Sequence, residues 1–168
     1  MPEKLFTKSA FKIATHCPMQ AYYYRNPETY ENKSANDDFL KSLAEGGFQV
    51  GELAKIYCNV PPENDLEGCG GYDKPLERTR ELFKQEKVNI AEAAFRYGDC
   101  FVRADVVKKN GHEIELIEVK AKSWDKADSF IAKVQKGENK GKEKVDDAIR
   151  DYLYDVAFQK WVVENALK

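Results

Sequence analysis

The sequence has no apolar run near the roughly 18 to 20 residues that a membrane span needs, and its opening, MPEKLFTKSAFK, lacks the charged-then-apolar layout of a secretory leader. No membrane partner is expected, and a cytoplasmic protein is. Charge of one sign is scarce as well: 27 Lys and Arg against 29 Asp and Glu leave a net charge of only -2. That excludes a global basic field of the kind that steers a protein onto nucleic acid, so such a partner has to be held by local patches. Histidine is limited to His16 and His112, and Cys17, Cys58, Cys69 and Cys100 form no Cys-x-x-Cys pair. This argues against a tetrahedral zinc site and reads instead as reduced thiols behaving as small buried hydrophobes. Internal repeats and heptads long enough for a coiled coil are also missing.

What is present fits one globular domain spanning 1–168: 168 residues, 42% hydrophobic and 33% charged, can bury one substantial core. Thr7 or Ser9 can cap a first helix through KSAFKIATHCPMQAYYYRNP, interrupted at Pro18, and this N-terminal segment (1–36) is expected to pack on the rest (37–168) as a lid or buttress. A second helix is predicted over Asp37 to Tyr57, with Phe39, Leu43, Phe48, Val50, Leu53, Ala54 and Ile56 apolar. Gly46 and Gly47 in its middle cost about 1 kcal/mol each in a helix interior, which implies a break or a close approach. A loop, NVPPENDLEGCGGYDKP, leads to a short helix over Pro75 to Glu86.

From Val88 the pattern changes to strands: Asn89 to Tyr97, Cys100 to Lys108 and Glu113 to Lys122, turning at Gly98-Asp99 and Asn110-Gly111. A charged segment, Ser123 to Glu143, precedes a last helix over Val145 to Leu167 with Ile149, Leu153, Val156, Ala157 and Val163 as its buried stripe. The order gives an α/β fold in the mixed α+β sense, a three-strand meander flanked by helices.

Two charges stand out at the end of the third strand, ELIEVKAKSW. A strand alternates its side chains, so Glu118 and Lys120 share one face, and Asp105 lies inside the preceding strand. The Asn-Gly hairpin lays the two strands antiparallel and lets Asp105 and Glu118 approach if the register sets them opposite. Two carboxylates so placed repel unless a cation lies between them. Mg²⁺ would suit the pair, since it takes a few carboxylate oxygens, keeps several waters and accepts phosphate oxygens; Lys120 could then orient the attacking water or stabilise charge on the phosphate. The plainer alternative is a cross-strand ion pair at a solvent-facing strand end. Glu31-Asn32-Lys33 and Glu138-Asn139-Lys140 repeat the acid-x-Lys pattern in polar segments, so the strand context carries the signal.

Asp105, twelve intervening residues and Glu118-x-Lys120 after an apolar strand resemble the signature of the PD-(D/E)XK nucleases. FKIATHCPMQAYYYRNP is similar to the Cys-Pro-x-x-x-Tyr-Tyr segment of its RecB-like branch, close to the CRISPR-associated exonucleases; GGFQVGELAK is similar to that branch's glycine-containing ligand helix, and DVAFQKW to its glutamine helix. The resemblance implies a restriction-endonuclease-like core acting as a metal-dependent DNA nuclease, exonuclease-like, on single-stranded or end-bearing DNA. It implies Asp105, Glu118 and Glu52 as ligands of Mg²⁺ or Mn²⁺, and Lys120 and Gln159 as catalytic partners. Lys122, Lys126 and Tyr23 are candidate nucleic-acid contacts, with a solvated loop and ordinary packing as their alternatives; Glu92, a strand-embedded acid, is a candidate neighbour of the site.

Departures from the pattern are specific. Gly51 stands where relatives often have histidine beside Glu52, and Val163 stands where a tyrosine is expected four residues after Gln159. The three C-terminal cysteines that would join Cys17 around an iron-sulfur cluster have no counterpart after Cys100, so no such cluster is expected. A further core strand is expected after the last helix; the chain would then be a fragment of a longer protein, or a minimal version whose sheet edge is closed by a second protomer. A catalytically inactive nucleic-acid-binding or assembly module on the same fold is the competing reading.

Overall fold

The structure, a computed structural model, describes residues 4–32, 38–123, 125 and 129–168. Its chain order is β1 (Phe6–Thr7), α1 (Lys8–His16), α2 (Pro18–Arg25), α3 (Asp38–Tyr57), α4 (Asp73–Leu82), β2 (Lys87–Tyr97), β3 (Cys100–Asn110), β4 (Glu113–Ile117), β5 (Ile131–Lys133), β6 (Glu143–Val145) and α5 (Asp147–Ala166). The mixed α/β class and the three-strand meander expected from the sequence are both present. Among the described residues, no helix is long and apolar enough to cross a membrane.

The sheet is built around β3. Gly98 and Gly111 both adopt positive φ, +55° and +61°, which closes the two tight turns at little steric cost. β2 runs antiparallel along the whole of β3, Lys87 opposite Asn110 and Tyr97 opposite Cys100. The other edge of β3 is divided: β1 pairs parallel with Cys100 and Phe101, and β4 pairs antiparallel with Val106 to Asn110. Between the two lies the stretch of β3 that ends at Asp105. Lys8 is the residue after β1 and Glu118 the residue after β4, so two strand ends deliver charged side chains to this gap.

The core explains why β2 and β3 read as near-continuous apolar runs. Ala93, Ala94 and Phe95 are consecutive and all buried, so both faces of β2 are covered. Leu66, Ile90, Phe95, Val102, Phe158 and Val162 belong to one cluster, and Leu5, Leu76, Ala94 and Phe101 to a second. The outer edge of β2 is occupied too: Thr79 Oγ1 accepts from the Ala94 N–H at 2.9 Å, and the Leu66 N–H donates to the Ala91 carbonyl at 3.1 Å. Thr7 caps α1 by accepting from the Ala10 N–H at 3.3 Å. Phe11 on α1 stacks on Phe158 of α5 at 4.4 Å between ring centroids, which fastens the N-terminal helix to the core.

Several expectations are corrected. α3 runs unbroken through Gly46, Gly47 and Gly51, and a Cβ added at any of the three would meet nothing within 4 Å among the described residues, so neither a break nor a close approach is present. Strong helix formers such as Leu53, Ala54 and Lys55 carry the helix past them. β4 stops at Ile117 rather than Lys122, and two residues further on the Val119 N–H donates to the Asp105 side chain at 2.7 Å. On α5 Ile149 and Val163 are buried as expected, but Leu153, Val156 and Ala157 are exposed, while Asp155, Phe158, Gln159 and Val162 are buried. The charged segment after Ser123 contains a small hairpin, β5 with β6, that its composition does not announce.

Candidate active site

The strand registers place three carboxylates in a row. Ala91 faces Val106 and Ala93 faces Ala104, which sets Glu92 across from Asp105; Val106 faces Ile117, which on one further step sets Glu118 across from Asp105. Like charges side by side on a sheet repel, and cations from other elements offset them. Lys8 Nζ lies 3.3 Å from Asp105 Oδ1 and 3.1 Å from each oxygen of Glu118, bridging the pair. Asp105 Oδ2 is committed to the Val119 N–H, which leaves Oδ1 directed at the shared cation.

On the far side of Glu118 lie Lys120, Asp155 and Gln159. Lys120 Nζ donates to Glu118 Oε1 and stands 3.3 Å from Asp155 Oδ2. Gln159 Nε2 donates to Glu118 Oε2 at 2.6 Å and is fully buried. That bond fixes the orientation of the amide, because the reverse would set its oxygen against a carboxylate. Burial pushes the Glu118 carboxyl up, since its side chain is only 5% exposed; Lys8, Lys120 and Gln159 together outweigh this and hold it below the usual glutamate range. Burial likewise disfavours the Lys120 ammonium, but Glu118 first and then Asp155 and Asp105 reverse the effect and hold its pKa above the usual lysine value. Asp155 Oδ1 and Gln159 Oε1 are buried without a hydrogen-bond partner among the described residues.

A cleft of about 180 Å³ opens on the other side of Asp105, lined by Gly47, Gly51, Glu52, Glu67 and Glu92 among others. Bare glycines on α3 leave this wall open. Glu92 takes φ +55° inside β2 and interrupts the ladder there, a conformation that costs a non-glycine residue about 1 kcal/mol or more. Its carboxylate lies 3.2 Å from Arg103 Nε, and burial, with Asp105 adding to it, raises its pKa despite that cation. Glu52 faces the same cleft but pairs with Lys55 at 2.6 Å, alongside Asp65 at 2.8 Å and Glu67. Glu52, Asp65 and Glu67 bring carboxylate oxygens within 4.8 Å of one another. The helix-borne acid thus belongs to a neighbouring cluster, not to the pair bridged by Lys8.

Lys55 pairs with all three carboxylates and offsets part of their mutual repulsion. Burial pushes the Asp65 carboxyl up, but Lys55 and the Glu67 N–H hold it below its usual range, so its contribution to stability is present above the unfolded pKa and is lost as pH falls through the lower folded value. Lys55→Met is therefore expected to cost about 2 kcal/mol at neutral pH and progressively less below roughly pH 4. Urea denaturation at pH 7 and pH 3.5 checks this; an equal loss at both would show that the cluster is not held by charge.

Of the expected nucleic-acid contacts, Lys122 is exposed with its Nζ 5.5 Å from the centre of the Tyr152 ring, and Tyr23 is exposed beside Tyr30 with ring centroids 4.5 Å apart. Lys126 lies outside the described residues. The structure thus gathers Asp105, Glu118, Lys120 and Gln159, sets Glu92 beside them and Glu52 across the cleft. Sequence reasoning missed Lys8, Arg103 and the pairing role of Asp155. Arg103 and Asp155 could have been found as charges on otherwise apolar strand and helix faces; Lys8 carries no local signal, since its place depends on β1 pairing with a strand some ninety residues later. The chain matches no family model, no curated protein and no solved structure.

Proposed function

We propose that this chain is a metal-dependent phosphodiester hydrolase, a DNA nuclease of exonuclease-like character on a restriction-endonuclease-like core, with Asp105 and Glu118 as ligands of Mg²⁺ or Mn²⁺. One observation carries the reading: Lys120 and Gln159 both donate to Glu118, and Glu118 and Asp105 are bridged by a cation, the Lys8 ammonium. The donor set suits the ion, since hard carboxylate oxygens are what Mg²⁺ and Mn²⁺ select. Such an ion supplies neutralisation of the scissile phosphate and a lowered pKa for the attacking water.

The protein's own groups divide the remaining work. Lys120, placed between Glu118 and Asp155, serves to stabilise charge on the phosphate. Gln159 fixes the rotation of the Glu118 carboxylate, and the Val119 N–H fixes that of Asp105. Lys122 and Tyr23 would grip the strand by a phosphate contact and a stacked base. A second reading, an inactive nucleic-acid-binding or assembly module, draws on the same Lys8 bridge, because the carboxylates are neutralised by the chain itself.

Cleavage of end-labelled single- and double-stranded DNA, with Mn²⁺ or Mg²⁺ and with EDTA, separates the two. Cleavage that co-elutes with the folded protein, stops with EDTA and returns with Mn²⁺ is expected. A folded chain that binds DNA and leaves it intact under all these conditions would favour the module.

A further inference from the structure

Lys8 has a position that the proposed reaction does not require of a lysine. It is the first residue of α1, immediately after the N-cap Thr7, and its Cα is set by the pairing of Thr7 with Phe101 of β3. From there its side chain reaches Asp105 and Glu118, 97 and 110 residues away in sequence. Among the described residues, Lys8 alone donates to both carboxylates: Lys120 and Gln159 engage Glu118, and the Val119 N–H engages Asp105. Its side chain keeps 24% of its surface exposed, so the ammonium can turn outward by side-chain rotation alone, with α1 still held by Phe11 against Phe158.

A cation bridging two carboxylates and a divalent ion ligated by the same two carboxylates compete for one place, since two positive charges cannot share it without strong repulsion. We propose that Lys8 is a built-in counter-ion that competes with the divalent cation for the Asp105–Glu118 pair, so that metal binding displaces the Lys8 ammonium from the carboxylates. The inference rests on the metal-dependent reading above. It has two consequences. Without metal, Lys8 keeps adjacent carboxylates from repelling one another, so the chain folds in its metal-free state. With metal, part of the binding free energy is spent on displacing the ammonium, so the apparent affinity is lower than the two carboxylates alone would give.

The test is Mn²⁺ binding to the full chain, read by electron paramagnetic resonance of free Mn²⁺, for the wild type, Lys8→Met and Lys8→Arg, with Asp105→Asn as the control that assigns the site. Lys8→Met keeps the length of the side chain and removes its charge. If the ammonium holds the place in nine molecules of ten, its removal tightens Mn²⁺ binding about tenfold, whereas Lys8→Arg, still cationic, leaves the affinity at or below that of the wild type. Thermal unfolding without metal supplies a second readout: Lys8→Met melts lower, by about 3 °C or more, and Mn²⁺ raises its melting temperature by more than it raises that of the wild type. Asp105-dependent Mn²⁺ binding that is equal or weaker in Lys8→Met overturns the competition and leaves the nuclease reading standing. No Asp105-dependent binding in either chain overturns both.

Discussion

Asp105→Ala and Lys120→Ala are each expected to remove most metal-dependent cleavage, but in different ways. Asp105 is a proposed ligand, so its loss should weaken Mn²⁺ binding and lower turnover by roughly 10³-fold, a barrier rise of ~4 kcal/mol. Lys120 does not bridge the two carboxylates; its Nζ lies between Glu118 and Asp155. Its loss should leave Mn²⁺ affinity nearly unchanged and reduce kcat by about 10²–10³-fold with little change in KM, as expected for a group whose contact strengthens in the transition state. Single-turnover cleavage beside metal titration of each variant checks the distinction. Equal cleavage by Lys120→Ala and wild type would remove Lys120 from the chemistry, while unchanged Mn²⁺ affinity in Asp105→Ala would remove Asp105 from the ligands.

Phe158→Ala is expected to produce the largest loss of stability. Phe158 is 8% exposed, stacks on Phe11 at 4.4 Å with an interplanar angle of 7°, and meets Phe6 edge-on at 6.1 Å. Truncating such a ring removes its burial and leaves a cavity, at a cost of about 3–5 kcal/mol. In a chain of this size that corresponds to a fall in melting temperature on the order of 10 °C. The consequence extends to the site, because the same contact holds α1, which starts at Lys8, against α5, which carries Asp155 and Gln159. Denaturant unfolding monitored by circular dichroism measures the loss; a change below about 1 kcal/mol would mean that α1 is held elsewhere.

The sheet was the most legible part of the chain because its signals are local. Asn110-Gly111 and Gly98-Asp99 specify the turns, each turn sets a register, and the registers alone bring Glu92, Asp105 and Glu118 into line. The inward turn of Gln159 was legible only through resemblance. Apolar periodicity on α5 points to Leu153 and Val156, and it fails there because Glu118 and Lys120 draw a polar face, Asp155 and Gln159, into the interior. In α3, Phe48, Leu53 and Ile56 mark a helical pattern, yet all three are well exposed, so periodicity found the helix without finding a buried face. The contribution of Lys8 is the least legible of all. It arises from a two-residue parallel pairing, and no window of neighbouring residues contains both partners.

The most direct measurement is anomalous diffraction at the manganese edge from crystals of the chain soaked in MnCl₂. The expected result is a peak at coordination distance from one oxygen of Asp105 and one of Glu118, with the Lys8 ammonium turned away from both. A peak confined to Glu52, Asp65 and Glu67, or no peak while Lys8 still bridges the pair, would contradict the assignment of Asp105 and Glu118 as the metal-binding centre of a nuclease.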